Sequence, residues 1–135
     1  MTLRRRRILV ADDEVYIVHI LEFSLSMEGY EVVSANNGVA ALEVIEKEMP
    51  DLVVLDVMMP GLSGHEVCRR LRTDPRTRHI PIIFLTAKDS PAERDEGLEL
   101  GANAYITKPF GPRKLIEAIE GLLEDAAPHD QAANM

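Results

Sequence analysis

A chain of 135 residues, 46% apolar and 28% charged, is long enough for one domain with a real core and too ordinary in composition for wholesale disorder. Lys and Arg number 15 against 23 Asp and Glu, a formal net charge of -8, which disfavours nucleic acid or an anionic membrane as a direct partner because both repel an acidic surface. A single cysteine, Cys68, excludes an internal disulfide and fits a reducing compartment.

The chain opens with Arg4-Arg5-Arg6-Arg7 before Ile8-Leu9-Val10-Ala11. Four apolar residues fall short of the roughly 7–15 of a signal-peptide core, and no apolar run approaches the ~20 needed to cross a bilayer. The expectation is a cytoplasmic protein in which 8–11 form a strand and the arginines its solvated flank. Residues 14–28 read as a helix with Val15, Val18, Leu21 and Leu25 on one side and Gly29 placed to stop it. Residues 32–35 read as a second strand, and a helix carrying Ala41, Leu42 and Ile45 begins near Gly38. Residues 52–56 follow. Here Leu52-Val53-Val54-Leu55 is apolar on consecutive positions, the pattern of a parallel strand buried on both faces.

Ser63-Gly64-His65-Glu66 has the capping-box pattern and opens a helix that buries Val67, Cys68 and Leu71. After a strand at 82–86, Ser90-Pro91-Ala92-Glu93 combines an N-cap serine, a proline at the first helical position and a glutamate at the third. That helix is nearly all polar and contains Gly97, so it is expected to be among the weaker elements. A strand at 104–107 precedes a last helix with Leu115, Ile116, Ile119, Leu122 and Leu123 at helical spacing. The domain is expected to span 1–124, with 125–135 a disordered tail. Five strands alternating with five helices imply an α/β, doubly wound parallel sheet with helices on both faces, reached by right-handed crossovers.

Ligands of such sheets bind beyond the carboxyl ends of the strands. The first strand ends in Asp12-Asp13-Glu14, the third in Asp56, the fourth in Thr86 and the fifth in Lys108. The second ends in the uncharged Asn36-Asn37, as strand order 2-1-3-4-5 requires if that strand lies at an edge away from the site. Strands about 4.8 Å apart place the short Asp and Thr side chains beside Asp56 and the long lysine two strands away. Converging carboxylates repel one another unless a cation neutralises them or some protonate. An all-oxygen cluster suits a hard ion, Mg2+ before Zn2+. Lys108 and Thr86 add a positive charge and a hydroxyl donor that can hold a phosphoryl group, and Asp56 has the place of a nucleophile able to form an acyl phosphate. Each residue alone also has a plain structural role: helix-start carboxylates, an aspartate opening a Pro-Gly turn, a strand threonine, a solvated lysine. Their collection at one sheet edge favours the joint reading. His19, His65, His79 and His129 show no ligand-like spacing, and Cys68 lies on a helical apolar stripe.

At these residues the chain closely resembles the receiver domains of two-component response regulators. The resemblance rests on Asp12-Asp13-Glu14, on Leu55-Asp56-Val57-Met58-Met59-Pro60-Gly61, on Leu85-Thr86-Ala87, and on Gly101-Ala102 through Tyr105-Ile106-Thr107-Lys108-Pro109-Phe110. It implies a flavodoxin-like three-layer αβα fold and a phosphoacceptor, not a conventional enzyme, that assists its own phosphorylation and slow dephosphorylation. Asp56 would take a phosphoryl group from a phosphohistidine of a sensor histidine kinase or phosphotransfer protein. Asp12, Asp13, Asp56 and the Met58 backbone carbonyl would hold Mg2+ (or Mn2+), Asp12 largely through water. Thr86 and Lys108 would bind the phosphoryl group, Tyr105 would act with Thr86 as a switch, and the Lys108–Pro109 bond is typically cis. Output would pass to a protein target through the face made by the fourth helix, fifth strand and fifth helix, with no direct nucleic-acid or membrane contact, from a monomer or a phosphorylation-dependent dimer. An aspartate-nucleophile phosphatase fits less well, because the second position of its Asp-x-Asp motif is Met58 here. A nucleotide- or flavin-binding module lacks its glycine-rich loops.

Overall fold

A computed structural model describes the backbone of residues 5–134 and the side chains of 5–124. Among the described residues the elements alternate as β1 (Arg7–Ala11), α1 (Val15–Met27), β2 (Glu31–Ala35), α2 (Gly38–Glu48), β3 (Leu52–Leu55), α3 (Gly64–Thr73), β4 (Ile82–Thr86), α4 (Pro91–Glu99), β5 (Ala104–Thr107) and α5 (Pro112–Asn134). All strand pairs are parallel, in the order β2-β1-β3-β4-β5, which is the expected α/β topology. The expected tail at 125–135 lies outside the described side chains.

Alternation along the strands divides the core. Leu9, Val53, Leu55, Ile82 and Phe84 face α2 and α3, with Val67, Cys68 and Leu71 packed against them. Ile8, Val10, Leu52, Val54, Ile83 and Leu85 face α1 and α5, meeting Leu21, Leu25, Leu115 and Ile119. Period-2 side chains on strands buried on both faces therefore supply two hydrophobic layers from one sheet.

The helix ends follow their capping residues. Ser63 Oγ accepts from the Glu66 N–H and Ser90 Oγ from the Glu93 N–H, at 3.2 and 3.1 Å, while Asn37 caps α2 through the Ala40 N–H. Gly29 ends α1 with paired bonds, its own N–H to the Ser26 carbonyl and that of Tyr30 to Leu25. One helical face differs from expectation. Val15 is exposed, and Ile17 joins Val18, Leu21 and Leu25 in the core. Val15 is the first residue of α1, where the chain is still leaving the sheet edge, so helical spacing does not yet fix which way it faces.

Candidate functional site

The strand ladders deliver the acidic residues to one edge. The Asp12 N–H bonds the Ala35 carbonyl, that of Asp56 the Ala11 carbonyl, and that of Lys108 the Thr86 carbonyl. Each residue thus leaves its strand with its backbone still held by the neighbouring one. The Asp56 loop is held closely from below. The Gly64 N–H donates to the Val57 carbonyl, and a Cβ on Gly64 would lie 2.2 Å from the Asp56 carbonyl oxygen, so only glycine admits this approach.

Carboxylate oxygens of Asp12, Asp13 and Asp56 lie within 4.8 Å of one another. Asp12 and Asp56 are buried and Asp13 is exposed, so the cluster has two fixed walls and one side open to solvent. Two of the carboxylates are oriented by their own loops: Asp12 Oδ1 accepts from the Glu14 N–H at 2.9 Å, and Asp56 Oδ1 from the Met58 N–H at 3.0 Å. Lys108 Nζ sits against the cluster, 2.8 Å from Asp12 Oδ2, 2.6 Å from Glu14 Oε1 and 3.2 Å from Asp56 Oδ2. Burial works against the lysine's charge. Hydrogen bonds to Asp12 and Glu14, with the charges of Asp12 and Asp56, outweigh it and hold its pKa well above the ordinary value. Desolvation pushes the Asp12 carboxyl up despite the lysine, whereas Glu14, more exposed, is drawn down by Lys108 and then by Tyr16. Four carboxylates against one ammonium leave the site strongly anionic. An all-oxygen donor set of this kind, part buried and part open, fits Mg2+.

Beside the cluster, Thr86 is fully buried and its Oγ1 accepts from the Lys88 N–H at 3.3 Å, which leaves the hydroxyl proton free to serve as a donor. Tyr105 is buried with its ring inward, and its hydroxyl donates to the Lys88 carbonyl at 2.8 Å. One backbone segment, residue 88, therefore contacts both Thr86 and Tyr105. The Tyr105 ring meets Phe84 edge-on at 6.1 Å and carries the Arg94 guanidinium at 5.4 Å. The Lys108–Pro109 peptide is cis. The structure brings Asp12, Asp13, Asp56, Thr86, Lys108 and Tyr105 to one end of the sheet, with the Met58 side chain exposed beside them. Sequence reasoning left out Glu14 as a partner of Lys108, and Gly97 and Arg94 as the surroundings of Tyr105. The acidic run and the helix glycine were visible, but which way they point depends on packing.

Residues 8–120 match the response regulator receiver domain family, and the chain belongs to it. It is 52% identical over 123 residues to a probable transcriptional regulator, ycf27, of Cyanophora paradoxa, covering 91% of this chain and 50% of that protein. It is 46% identical over 132 residues to the alkaline phosphatase synthesis transcriptional regulatory protein PhoP of Bacillus subtilis, covering 96% and 54%. The chain thus spans about half the length of these curated relatives. Among solved structures it is similar to the chemotaxis response regulator CheY4 of Vibrio cholerae (TM-score 0.83, 31% identity, 88% of this chain and 99% of that one). The receiver domain of the Francisella response regulator 1452 is similar to the same degree (TM-score 0.85, 33%, 90% and 99%). The protein is therefore a receiver domain of a two-component response regulator, a signalling phosphoacceptor by family with an acidic pocket suited to Mg2+. No helix among the described residues is long and apolar enough to cross a membrane.

Proposed function

We propose that Asp56 is the phosphoacceptor of this chain. Its carboxylate attacks the phosphorus of a phosphohistidine on a sensor kinase or phosphotransfer protein; the P–N bond breaks as the O–P bond of an acyl phosphate forms, and the histidine leaves with the electron pair. The observation that carries this reading is the position of Asp56, a buried carboxylate 3.2 Å from the half-buried Lys108 and within one carboxylate cluster with Asp12 and Asp13. Asp12, Asp13, Asp56 and the Met58 carbonyl would hold Mg2+, which when bound neutralises charge on the carboxylates and the incoming phosphoryl group. Lys108 pairs with the transferred phosphoryl oxygen and Thr86 donates its hydroxyl proton to another. The same groups orient water for slow self-catalysed dephosphorylation.

Thr86 and Tyr105 share residue 88 as a neighbour, so a shift of Thr86 towards a phosphoryl group would alter the seat of Tyr105. This supports a switch that changes protein binding on the face formed by α4, β5 and α5. The output is read as protein contact without direct nucleic-acid binding by the receiver, in the cytoplasm. The transcriptional roles in the relatives' names belong to proteins about twice as long.

The test is intact mass after incubation with acetyl phosphate, with and without Mg2+, for wild type and Asp56→Asn. A Mg2+-dependent, hydroxylamine-sensitive phosphoryl adduct absent from the variant is the expected result. A folded protein that forms no adduct, even with a phosphorylated kinase, would instead be a docking module.

A further inference from the structure

Lys108 has one partner more than phosphoryl transfer requires. Glu14 Oε1 approaches its Nζ to 2.6 Å, closer than Asp12 at 2.8 Å or Asp56 at 3.2 Å. Glu14 is not free to wander. Its N–H bonds Asp12 Oδ1, its carbonyl accepts the Ile17 and Val18 N–H groups at the start of α1, and its Oε2 accepts the Tyr16 hydroxyl at 2.9 Å. Lys108 has a side chain only 11% exposed, so water has little room to take the place of a lost carboxylate. Glu14 is 40% exposed and Tyr16 61%. The ammonium is therefore shared between two buried carboxylates and a third, at the outer rim, that is itself held from outside.

We propose that Glu14, held by Tyr16, is a positioning residue that competes with Asp56 for the Lys108 ammonium, which bonds both carboxylates, and tethers it at the outer side of the acidic cluster. The inference rests on Asp56 as phosphoacceptor only for its consequence; the tether itself is a statement about Lys108. Glu14, Tyr16 and Lys108 line one cleft of about 550 Å3 with Ile17, Ile20 and Phe110. Removing the Glu14 charge frees the lysine for the phosphoryl oxygen and lessens repulsion of an anionic donor. Removing only the Tyr16 hydroxyl changes no charge and loosens the tether alone.

The experiment compares wild type, Tyr16→Phe, Glu14→Gln and the double variant by two readouts. The first is proton exchange at the Lys108 ammonium, followed by 15N NMR of the side chain. The second is the rate of adduct formation with acetyl phosphate and Mg2+. Both substitutions lie at exposed or half-exposed positions, so the variants retain the core. Glu14→Gln is expected to speed ammonium exchange and adduct formation by about two- to fivefold, the worth of one partly exposed ion pair. Tyr16→Phe is expected to move both in the same direction by less, and to add nothing in the Glu14→Gln background. Unchanged Lys108 exchange in both single variants overturns the tether. So does an effect of Tyr16→Phe that is as large without the Glu14 carboxylate as with it, or faster exchange with no change in adduct rate where wild type is phosphorylated. If exchange responds as expected while no variant, wild type included, takes a phosphoryl group from acetyl phosphate or from a phosphorylated kinase, Asp56 is not the acceptor and the tether stands.

Discussion

Arg72 is half-buried, and its guanidinium donates to oxygen acceptors of neutral groups. Its Nε and Nη2 donate to the Gly101 carbonyl at 3.0 and 2.8 Å, Nη1 to Ile80 and Arg78, and Nη2 to Asn103 Oδ1. Burial lowers its pKa, yet these bonds join α3, the start of β4 and the turn before β5. Replacing Arg72 with Leu should cost about 1–2 kcal/mol, because part-buried carbonyls lose their donors; urea unfolding measures it. Gly97 is a second such residue. A Cβ there would lie 2.9 Å from Tyr105 Cδ2 and 3.1 Å from Phe84 Cδ2, so the inward tyrosine needs a glycine on the facing helix. Gly97→Ala is expected to expel the Tyr105 ring, seen as loss of its Phe84 contacts in aromatic NMR spectra; an unmoved ring would show that the helix gives way instead. Residue chemistry at the strand ends was legible because a strand's end fixes where a short carboxylate goes. Val15 and Glu14 were not legible. They lie at the first turn of α1, where the helix axis relative to the sheet decides their direction.

At the scale of elements, α4 and α1 depart from the rest in opposite ways. Only Gly97 of α4 is buried, and Leu98 is exposed, so the helix has little apolar area to hold it against the sheet. Its amides should exchange faster than those of α1 and α3, and hydrogen exchange should detect further change when Asp56 is modified. Equal protection across the three helices would contradict this. On α1, Tyr16, Ile20, Phe23 and Met27 are exposed at spacings of four, three and four residues, forming one apolar stripe beside the site. Phe23→Ser should slow transfer from a phosphohistidine protein by about tenfold, a hot-spot loss, and leave transfer from acetyl phosphate unchanged. The polar sequence of α4 made its weakness readable in advance. The stripe on α1 was less so, since its inner and outer faces are both apolar and periodicity cannot say which faces water.

For the whole molecule, the alternation of apolar strands with amphipathic helices implied a doubly wound parallel sheet, and the β2 end, which offers the site nothing, agrees with that strand's place at an edge. Charge also shapes its response to acid. Glu66 is drawn below its ordinary 4.5 by Arg70 and Arg69, and Asp74 below 3.8 by Arg76. The unfolded chain binds protons more readily at both, so their stabilisation is present above those ordinary values and is lost as pH falls through the lowered ones. The difference in urea midpoint between wild type and Glu66→Gln should therefore be present at about pH 6 and shrink progressively as pH falls below the ordinary 4.5 of the carboxyl. A difference that persists in acid would place its source elsewhere than the carboxylate charge.

The carboxylate cluster and the buried Thr86 and Tyr105 are expected to respond as one unit to a group on Asp56. The most direct test is a backbone 15N NMR titration with Mg2+ and beryllofluoride, an acyl-phosphate mimic, in wild type and Asp56→Asn. Shifts that require both Mg2+ and Asp56, and run from Asp12 and Asp56 through Thr86 and Lys88 to Tyr105 and α4, are the predicted result. Shifts confined to the acidic cluster, or equally present in Asp56→Asn, would contradict it.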